Sequence, residues 1–187
     1  HFKVLDYPKE NESIKFLFAG RIMKEKGIEQ YLNAAKAIKN KYKNVEFEIL
    51  GFCEEDYEEL LGELNKEKII NYYGMQKDII PYLKACSCLI LPSYYPEGMS
   101  NVLLEASASG RPIITTNRSG CKEIVEDKKT GYIIEAQNNQ QLINKIEEFL
   151  KLSNAQRKEM GLNSRTKVEK EFDRKIVVKE YMKVIKV

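Results

Sequence analysis

The sequence PEGMSNVLLEASASGRP, residues 96–112, decides the fold of this chain, because it runs from a turn directly into a helix. Ser100 or Asn101 is the expected N-cap, and the apolar and small residues that follow favour a helix. Gly110 and Pro112 are expected to end it. The stretch therefore predicts a capped helix whose first turn adjoins a glycine-containing turn.

The start of this helix is a candidate binding site for a phosphate. A capped helix start presents free N–H groups, and the positive end of the helix dipole favours an anion. Glu97 precedes the turn and Glu105 lies one turn inside the helix, so their carboxylates can flank the phosphate and accept hydrogen bonds from hydroxyl groups. The order of these groups fits a sugar, a diphosphate and a ribose.

Outside this stretch, short apolar runs alternate with segments of helical spacing, a pattern that predicts the strands of a parallel sheet. The expected strands are Ile14 to Ala19, Val45 to Leu50, Ile69 to Tyr73, Cys88 to Leu91, Ile113 to Thr115 and Tyr132 to Ile134. We therefore predict an α/β fold: a doubly wound, Rossmann-like, six-stranded parallel sheet with helices on both faces. Its ligand-binding loops are expected at the carboxyl ends of the strands.

Helical periodicity predicts helices between and after these strands. The apolar positions are Ile28, Tyr31, Leu32, Ala35 and Ile38 in the first helix, and Leu142, Ile146, Phe149 and Leu150 in a later one. Pro81 is expected in the first turn of a short helix opened by Asp78. After Glu135 the chain is expected to be helical to its end. The apolar face of the last helix packs either on a partner domain, and is then exposed here, or on its own sheet. That face comprises Phe172, Ile176, Val177, Tyr181 and Ile185.

The 187 residues are enough for one well-buried core, and we predict a single domain at residues 14–187. Residues 1–13 are polar and contain Pro8, which is typical of a linker or of the remnant of a connection between domains. Charged residues make up 32% of the chain but leave a net charge of only +3, and the lysines are dispersed, so nucleic-acid binding is not expected. No apolar run approaches the roughly 18 residues that span a bilayer, and no signal peptide is evident, which predicts a cytoplasmic location.

Neither the cysteines nor the histidine predict a metal or an imidazole site. Cys53, Cys86, Cys88 and Cys121 have no paired spacing with histidines, and reduced thiols in the core are expected. His1 is the single histidine and is interpreted as the remnant of a tag. Imidazole catalysis is therefore not expected.

Glu97 and Glu105, with seven residues between them, resemble the E-x7-E signature of the retaining glycosyltransferases of family 4, which have the GT-B fold. The similarity extends to Phe18-Ala19-Gly20-Arg21 and Lys26-Gly27 upstream, and to Ser119-Gly120, Glu123, Gly131 and Tyr132 downstream. It covers nearly the whole chain, but only the C-terminal, donor-binding half of such an enzyme. The resemblance implies that residues 14–187 are the nucleotide-sugar donor-binding domain, and that the N-terminal acceptor domain is absent from this chain.

The resemblance also implies roles for individual residues. Arg21 and Lys26 would bind the donor phosphates and Glu97 would accept hydrogen bonds from the sugar; these three are the predicted catalytic residues. Glu105 would accept both ribose hydroxyls. The predicted donor-binding residues are Gly20, Gly51, Met75, Gln76, Gly98, Met99, Ser100, Asn101 and Glu105, with Met75 and Gln76 near the base. Tyr94 and Tyr95 either wall the sugar pocket or only pack, and the Ser119-Gly120 turn departs from the usual family pattern.

The function that the resemblance implies is that of the donor-binding half of a retaining hexosyltransferase. Such an enzyme moves a hexose from a nucleotide diphosphate sugar to a glycan or lipid-linked acceptor in bacterial polysaccharide or glycoconjugate synthesis. The expected partners are the nucleotide sugar and, through the missing N-terminal domain, the acceptor; peripheral contact with the inner face of the membrane is compatible with this role. The sequence contains no Asp-x-Asp, so no metal and no cofactor is expected. The fragment alone is expected to be inactive, because two domains must close over the donor.

Two other classes of protein are alternatives to this function. A non-catalytic nucleotide-sugar-binding or regulatory module of the same fold stays open as the alternative. A nicotinamide-dependent oxidoreductase is not favoured, because no Gly-x-Gly-x-x-Gly follows the first strand.

Overall fold

A computed structural model describes residues 2–96 and 98–185 of the chain, so His1 lies outside the described residues. Within them the chain forms a six-stranded, fully parallel sheet with the order β3-β2-β1-β4-β5-β6. The strands are β1 (Ile14–Ala19), β2 (Val45–Leu50), β3 (Asn71–Tyr72), β4 (Cys88–Leu91), β5 (Ile113–Thr116) and β6 (Gly131–Ile134). The helices are α1 (Ile28–Lys41), α2 (Glu58–Lys66), α3 (Ile80–Ala85), α4 (Asn101–Ala108), α5 (Asn139–Lys151), α6 (Asn154–Glu171) and α7 (Arg174–Ile185). The predicted doubly wound fold is confirmed.

Four elements differ in their bounds from the prediction: β5 ends one residue later and β6 begins one residue earlier than expected, and β3 and α3 differ more. β3 is shorter than the expected run, because the N–H groups of Ile69 and Ile70 donate to the carbonyl oxygen of Leu64 in α2, at 3.0 and 3.4 Å. These two residues therefore close the end of α2, and the chain pairs with β2 only after them. α3 begins at Ile80 rather than at Asp78, although Asp78 Oδ1 accepts a hydrogen bond from the Ile80 N–H at 2.9 Å. Pro81 lies in the first turn of α3, as predicted.

Right-handed crossovers place helices on both faces of the sheet. The chain moves from β1 to β2 in one direction along the sheet and from β4 to β5 in the other, so right-handed connections put α1 and α4 on opposite faces. α5 packs beside α1, and α6 packs beside α4. The order of strands reverses between β1 and β4. In open α/β sheets a crevice forms at this point, outside the carboxyl ends of the strands, and ligands bind there.

Aromatic side chains fill the core between the sheet and the α1–α5 layer. The ring of Phe16 in β1 lies 5.2 Å from that of Phe47 in β2 and 5.7 Å from that of Phe149 in α5, measured between centroids. Tyr31 of α1 joins this cluster and donates its buried hydroxyl to the carbonyl oxygen of Phe16 at 2.8 Å. Full burial of one such side chain stabilises a fold by about 1.5–3 kcal/mol. The cluster therefore fixes α1, and with it the loop that precedes α1, against the sheet.

A buried arginine holds the N-terminal segment on the domain. Residues 2–13 form no helix or strand. The guanidinium of Arg111, which is fully buried, donates to the carbonyl oxygens of Asp6 and Leu83, each at 2.6 Å. A buried charge is costly unless its hydrogen bonds are satisfied, and here backbone carbonyls from two separate segments satisfy them. Arg111 therefore links residues 2–13 to the C-terminal end of α3.

The last helix exposes apolar surface. In α7, Ile176 is 38% exposed and Tyr181 is 67% exposed, while Phe172, just before the helix, packs against the core. The side chains of Val177 and Ile185 lie outside the described residues. Of the two arrangements predicted for this face, the described side chains favour the exposed one. No helix within residues 2–96 and 98–185 has both the length and the apolar character needed to cross a membrane.

Candidate functional site

A cleft opens at the carboxyl ends of β1 and β4, where the strand order reverses. It consists of two adjoining cavities of about 190 and 270 Å³, which share Ala19, Gly20, Arg21 and Val102. We call it the β1–β4 cleft. Its first cavity is also lined by Lys26, Leu91, Met99, Ser100 and Asn101, and its second by Leu50, Gly51, Phe52, Met75, Gln76 and Ile79. The cleft therefore joins loops that follow four strands.

The loop after β1 brings two cations to the cleft. Arg21 is the second residue after β1, and Lys26 lies in a 3₁₀ turn, Lys24–Lys26, that precedes α1. Arg21 Nη1 forms an ion pair with Glu54 Oε2 at 2.7 Å, and both side chains remain more than one-third exposed. The loop after β2 supports this arrangement, since Glu55 Oε2 accepts a hydrogen bond from the Lys24 N–H at 2.7 Å.

The amino end of α4 forms the opposite wall. Of the two predicted N-cap candidates, Ser100 is the N-cap residue, but its side chain makes no capping hydrogen bond. The N–H groups in the first turn of any helix have no partner within the helix, so they can bind an anion placed at its end. The Ser100 N–H donates to the carbonyl oxygen of Gly120 at 2.9 Å, and Glu123 Oε2 accepts from the Gly120 N–H at 2.9 Å. The Ser119-Gly120 turn therefore supports the start of α4.

The loops after β2 and β3 form the far end of the cleft. Gly51 is needed for a close approach, because a Cβ there would overlap the carbonyl oxygen of Gly20. The Gly51 N–H donates to the carbonyl oxygen of Gly74 at 2.9 Å, which ties the third loop to the second. Beyond it, Met75 is 73% exposed and Gln76 Nε2 donates to the carbonyl oxygen of Tyr73 at 2.7 Å.

The structure brings most of the predicted residues together in this cleft. They are Gly20, Arg21, Lys26, Gly51, Met75, Gln76, Met99, Ser100 and Asn101. Gly98 borders open space, since a Cβ there would meet nothing within 4 Å. Glu97 lies outside the described residues, so its role stays a prediction.

Glu105 does not line the β1–β4 cleft. It lies one helical turn beyond Asn101 and lines a separate cavity of about 550 Å³ between α4 and the helices α6 and α7. Burial raises the pKa of the Glu105 carboxyl above its usual value. One turn of helix is about 5.4 Å long, so Glu105 is close to the cleft without facing it.

Two side chains that contact Arg21, those of Tyr95 and Glu54, were not among the predicted site residues, although Tyr95 was one of the two tyrosines that could wall the sugar pocket. The guanidinium carbon of Arg21 lies 5.0 Å from the ring centroid of Tyr95, and Lys26 Nζ lies 4.8 Å from the same centroid. Glu54 is the ion-pair partner of Arg21. The position of Tyr95 just before the signature was a usable signal, whereas nothing in the sequence distinguishes Glu54 from neighbouring acidic residues.

The cysteines lie mostly in the core. Cys86, Cys88 and Cys121 are fully buried thiols, which confirms the prediction for these three, whereas Cys53 is half-buried near the start of the loop after β2. Across the described part of the chain, no group of three or more His, Cys, Asp or Glu side chains is placed to hold a metal ion.

A comparison with known protein families shows to which family this chain belongs. The family model described as "Glycosyl transferases group 1" matches residues 5–167. The chain belongs to the glycosyl transferases group 1 family. Its six-stranded parallel sheet is that of the GT-B proteins of this group.

This group 1 domain is similar in sequence to two curated proteins that are each more than twice its length. It is 30% identical over 174 residues to the capsular polysaccharide biosynthesis glycosyltransferase CapM of Staphylococcus aureus, an alignment that covers 91% of this chain and 45% of CapM. It is 26% identical over 171 residues to N,N'-diacetylbacillosaminyl-diphospho-undecaprenol alpha-1,3-N-acetylgalactosaminyltransferase of Campylobacter jejuni, covering 90% of this chain and 43% of that protein. The chain therefore spans less than half the length of these relatives.

The fold of this group 1 domain is also found in a solved structure with a bound sugar nucleotide. The crystal structure of Anabaena HepE in complex with UDP-glucose superposes with a TM-score of 0.79 and 19% identity, over 92% of this chain and 48% of HepE. At this identity the likeness establishes the fold that the two chains share.

Proposed function

We propose that this chain is the donor-binding half of a retaining glycosyltransferase that transfers a hexose from a nucleotide diphosphate sugar to a glycan or lipid-linked acceptor. One observation supports the proposal most: Arg21, Lys26 and the amino end of α4 line the same cleft. A sugar nucleotide presents a diphosphate, and these three features supply two positive side chains and the positive end of a helix dipole.

The names of the relatives support the chemical class of the substrates. HepE is described with UDP-glucose, and CapM and the Campylobacter enzyme are named for capsular polysaccharide synthesis and for a diphospho-undecaprenol acceptor. We infer from them a role in bacterial polysaccharide or glycoconjugate assembly. The acceptor would bind in a separate N-terminal domain.

The cleft would promote transfer by stabilising the leaving group. The bond between the sugar anomeric carbon and the β-phosphate oxygen breaks, and negative charge grows on the diphosphate. Cations and N–H groups that are already in place stabilise this charge more in the transition state than in the ground state. The acceptor oxygen then bonds to the anomeric carbon on the same face, and its proton passes to the departing phosphate oxygen.

The remaining predicted residues would orient the donor. Glu97 would accept hydrogen bonds from sugar hydroxyls, while Met75 and Gln76, at the far end of the cleft, would adjoin the base. Glu105 would reach the ribose only by a side-chain rotation, since it lines the neighbouring cavity. We further propose that transfer needs no divalent ion, because the sequence lacks an Asp-x-Asp and because Arg21 and Lys26 can neutralise the diphosphate.

Calorimetry with uridine, guanosine and adenosine diphosphates tests the proposal. We expect one of the three to bind the 187-residue chain without added metal, and the Arg21→Ala variant to bind it about tenfold more weakly, because charged hydrogen bonds to phosphate are among the strong ones. Lys43→Ala is the matched control: Lys43 is an exposed cation near the amino end of β2, away from the cleft. Absence of binding to all three nucleotides would contradict the proposal and would favour a module that does not bind nucleotides.

A further inference from the structure

One aromatic ring contacts both cations of the β1–β4 cleft. The Arg21 guanidinium carbon is 5.0 Å and Lys26 Nζ is 4.8 Å from the ring centroid of Tyr95. Because both distances are measured to one point, the two charges are no further apart than the sum of these distances. The face of an aromatic ring attracts cations electrostatically, so the ring favours conformers that keep both charges nearby.

Backbone hydrogen bonds fix the position of this ring. The N–H groups of Tyr94 and Tyr95 both donate to the carbonyl oxygen of Glu25, at 2.8 and 3.0 Å, and Ser93 Oγ accepts from the Tyr95 N–H at 3.2 Å. Glu25 is the residue before Lys26. The segment that contains Tyr95 and the turn that contains Lys26 are therefore joined directly and keep a constant relative position.

The contact with Tyr95 is compatible with phosphate binding. A ring attracts a cation through its π face, which takes no hydrogen-bond donor, while the side-chain hydrogen bond between Arg21 and Tyr95 raises the pKa of the Arg21 guanidinium. This bond engages only part of the five N–H donors of Arg21, so the others stay available to a phosphate. The ion pair with Glu54 differs, because a carboxylate uses the same N–H groups that a phosphate would use. A bound diphosphate would therefore displace Glu54 from Arg21 and leave the ring in place.

We propose that Tyr95 is a positioning residue of the nucleotide site, whose ring holds the Arg21 guanidinium and the Lys26 ammonium where the donor diphosphate binds. The inference rests on the proposed function. It predicts that loss of the ring weakens binding of the diphosphate group specifically. If Tyr95 only filled space in the loop, its replacement would lower stability without changing nucleotide affinity at a temperature where the protein is folded.

The test measures the affinity of the 187-residue chain for whichever of the uridine, guanosine and adenosine diphosphates it binds, and for the corresponding nucleoside without phosphates. Tyr95→Leu is expected to weaken diphosphate binding about tenfold and nucleoside binding less than twofold, because the ring contacts with two cations are lost. Tyr95→Phe keeps the ring and is expected to bind the diphosphate within about twofold of the wild type. Tyr94→Leu is the matched control, because Tyr94 is the adjacent tyrosine and its ring makes no such contact with Arg21 or Lys26 in the described residues. Tyr95→Gln is a second variant without the ring, for use if Tyr95→Leu does not fold.

Three results would overturn the inference while leaving the proposed function intact. These are wild-type affinity in both ring-removing variants, an equal loss in Tyr95→Phe, and an equal loss in Tyr94→Leu. Failure of the wild-type chain to bind any of the three diphosphates would instead remove the proposed function, and the inference with it.

Discussion

Substitution of Gly27 by alanine would separate the two loops that form the β1–β4 cleft. Gly27 is the N-cap of α1 and has φ of 82°, a left-handed conformation. A Cβ on it would lie 2.6 Å from the carbonyl carbon of Pro92 and closer still to the carbonyl oxygen. Pro92 is the first residue after β4, so the loop that contains Lys26 touches the loop that contains Tyr95 at this point.

The expected loss of stability follows from two costs and one gain. An L-residue in the left-handed region costs about 1–2 kcal/mol. To relieve the contact with Pro92 the loops must move apart, which weakens the two hydrogen bonds from Tyr94 and Tyr95 to Glu25, each worth about 1 kcal/mol net. Reduced freedom of the unfolded chain returns about 0.4–1 kcal/mol. The net loss for Gly27→Ala is therefore about 3 kcal/mol, a large part of the roughly 5–15 kcal/mol that stabilises a typical domain.

Urea unfolding followed by circular dichroism measures this change. With a slope of about 2 kcal/mol per M, a loss of this size lowers the midpoint by roughly 1.5 M. Gly62→Ala is the control, because Gly62 lies inside α2 and a Cβ there meets nothing within 4 Å; it should gain up to about 1 kcal/mol. The reasoning is refuted if Gly27→Ala is as stable as the wild type or as Gly62→Ala.

Three further predictions use other features of the structure. Glu54→Gln should bind the nucleoside diphosphate about threefold more tightly in calorimetry, because an exposed ion pair of modest strength competes for Arg21; weaker binding would show that Glu54 does not compete. Arg111→Met should lower the free energy of unfolding, measured by urea unfolding, by about 3–5 kcal/mol, because buried carbonyl groups such as that of Leu83 lose a charged donor. A change below about 1 kcal/mol would show that the N-terminal segment is not held by Arg111. At pH 8, a thiol reagent should modify Cys53 alone in the native chain and all four cysteines in urea. Cys53 is half-buried whereas the others are fully buried, and burial raises the pKa of Cys86 to about 12. Reaction of a second cysteine in the native chain would contradict this assignment.

The fold could be predicted from the sequence wherever burial alone determines the pattern. β1, β2 and β4 begin and end at the predicted residues, because most of their side chains are apolar and buried. The charged exceptions are Lys15, Glu46 and Glu48, and Lys15 forms ion pairs with both glutamates. β3 was predicted too long because Ile69 and Ile70 are as apolar as strand residues, yet their N–H groups bond to the end of α2. Which backbone acceptor an N–H group finds is not encoded in the polarity of its side chain.

The sequence predicts the site residues that follow the ends of strands, but it predicts only in part the side-chain contacts between residues that are distant in sequence. Arg21 and Asn101 line one cleft because Arg21 lies in the loop after β1 and Asn101 begins the helix that follows β4. Both strands end at the carboxyl edge of the sheet, where ligands bind in folds of this kind. The partners of Arg21 could not be inferred in the same way. Glu54 and Tyr95 reach Arg21 through loop conformations fixed by hydrogen bonds such as that from Lys24 to Glu55, which leave no periodic signal in the sequence.

A crystal structure of this chain with the nucleoside diphosphate it binds best tests the central claim most directly. We predict that the diphosphate lies at the amino end of α4, with phosphate oxygens within about 3.2 Å of first-turn N–H groups and in contact with Arg21 and Lys26, and that Glu54 has released Arg21. A nucleotide whose phosphates lie away from both cations, for example in the cavity beside Glu105 and α7, would contradict the account.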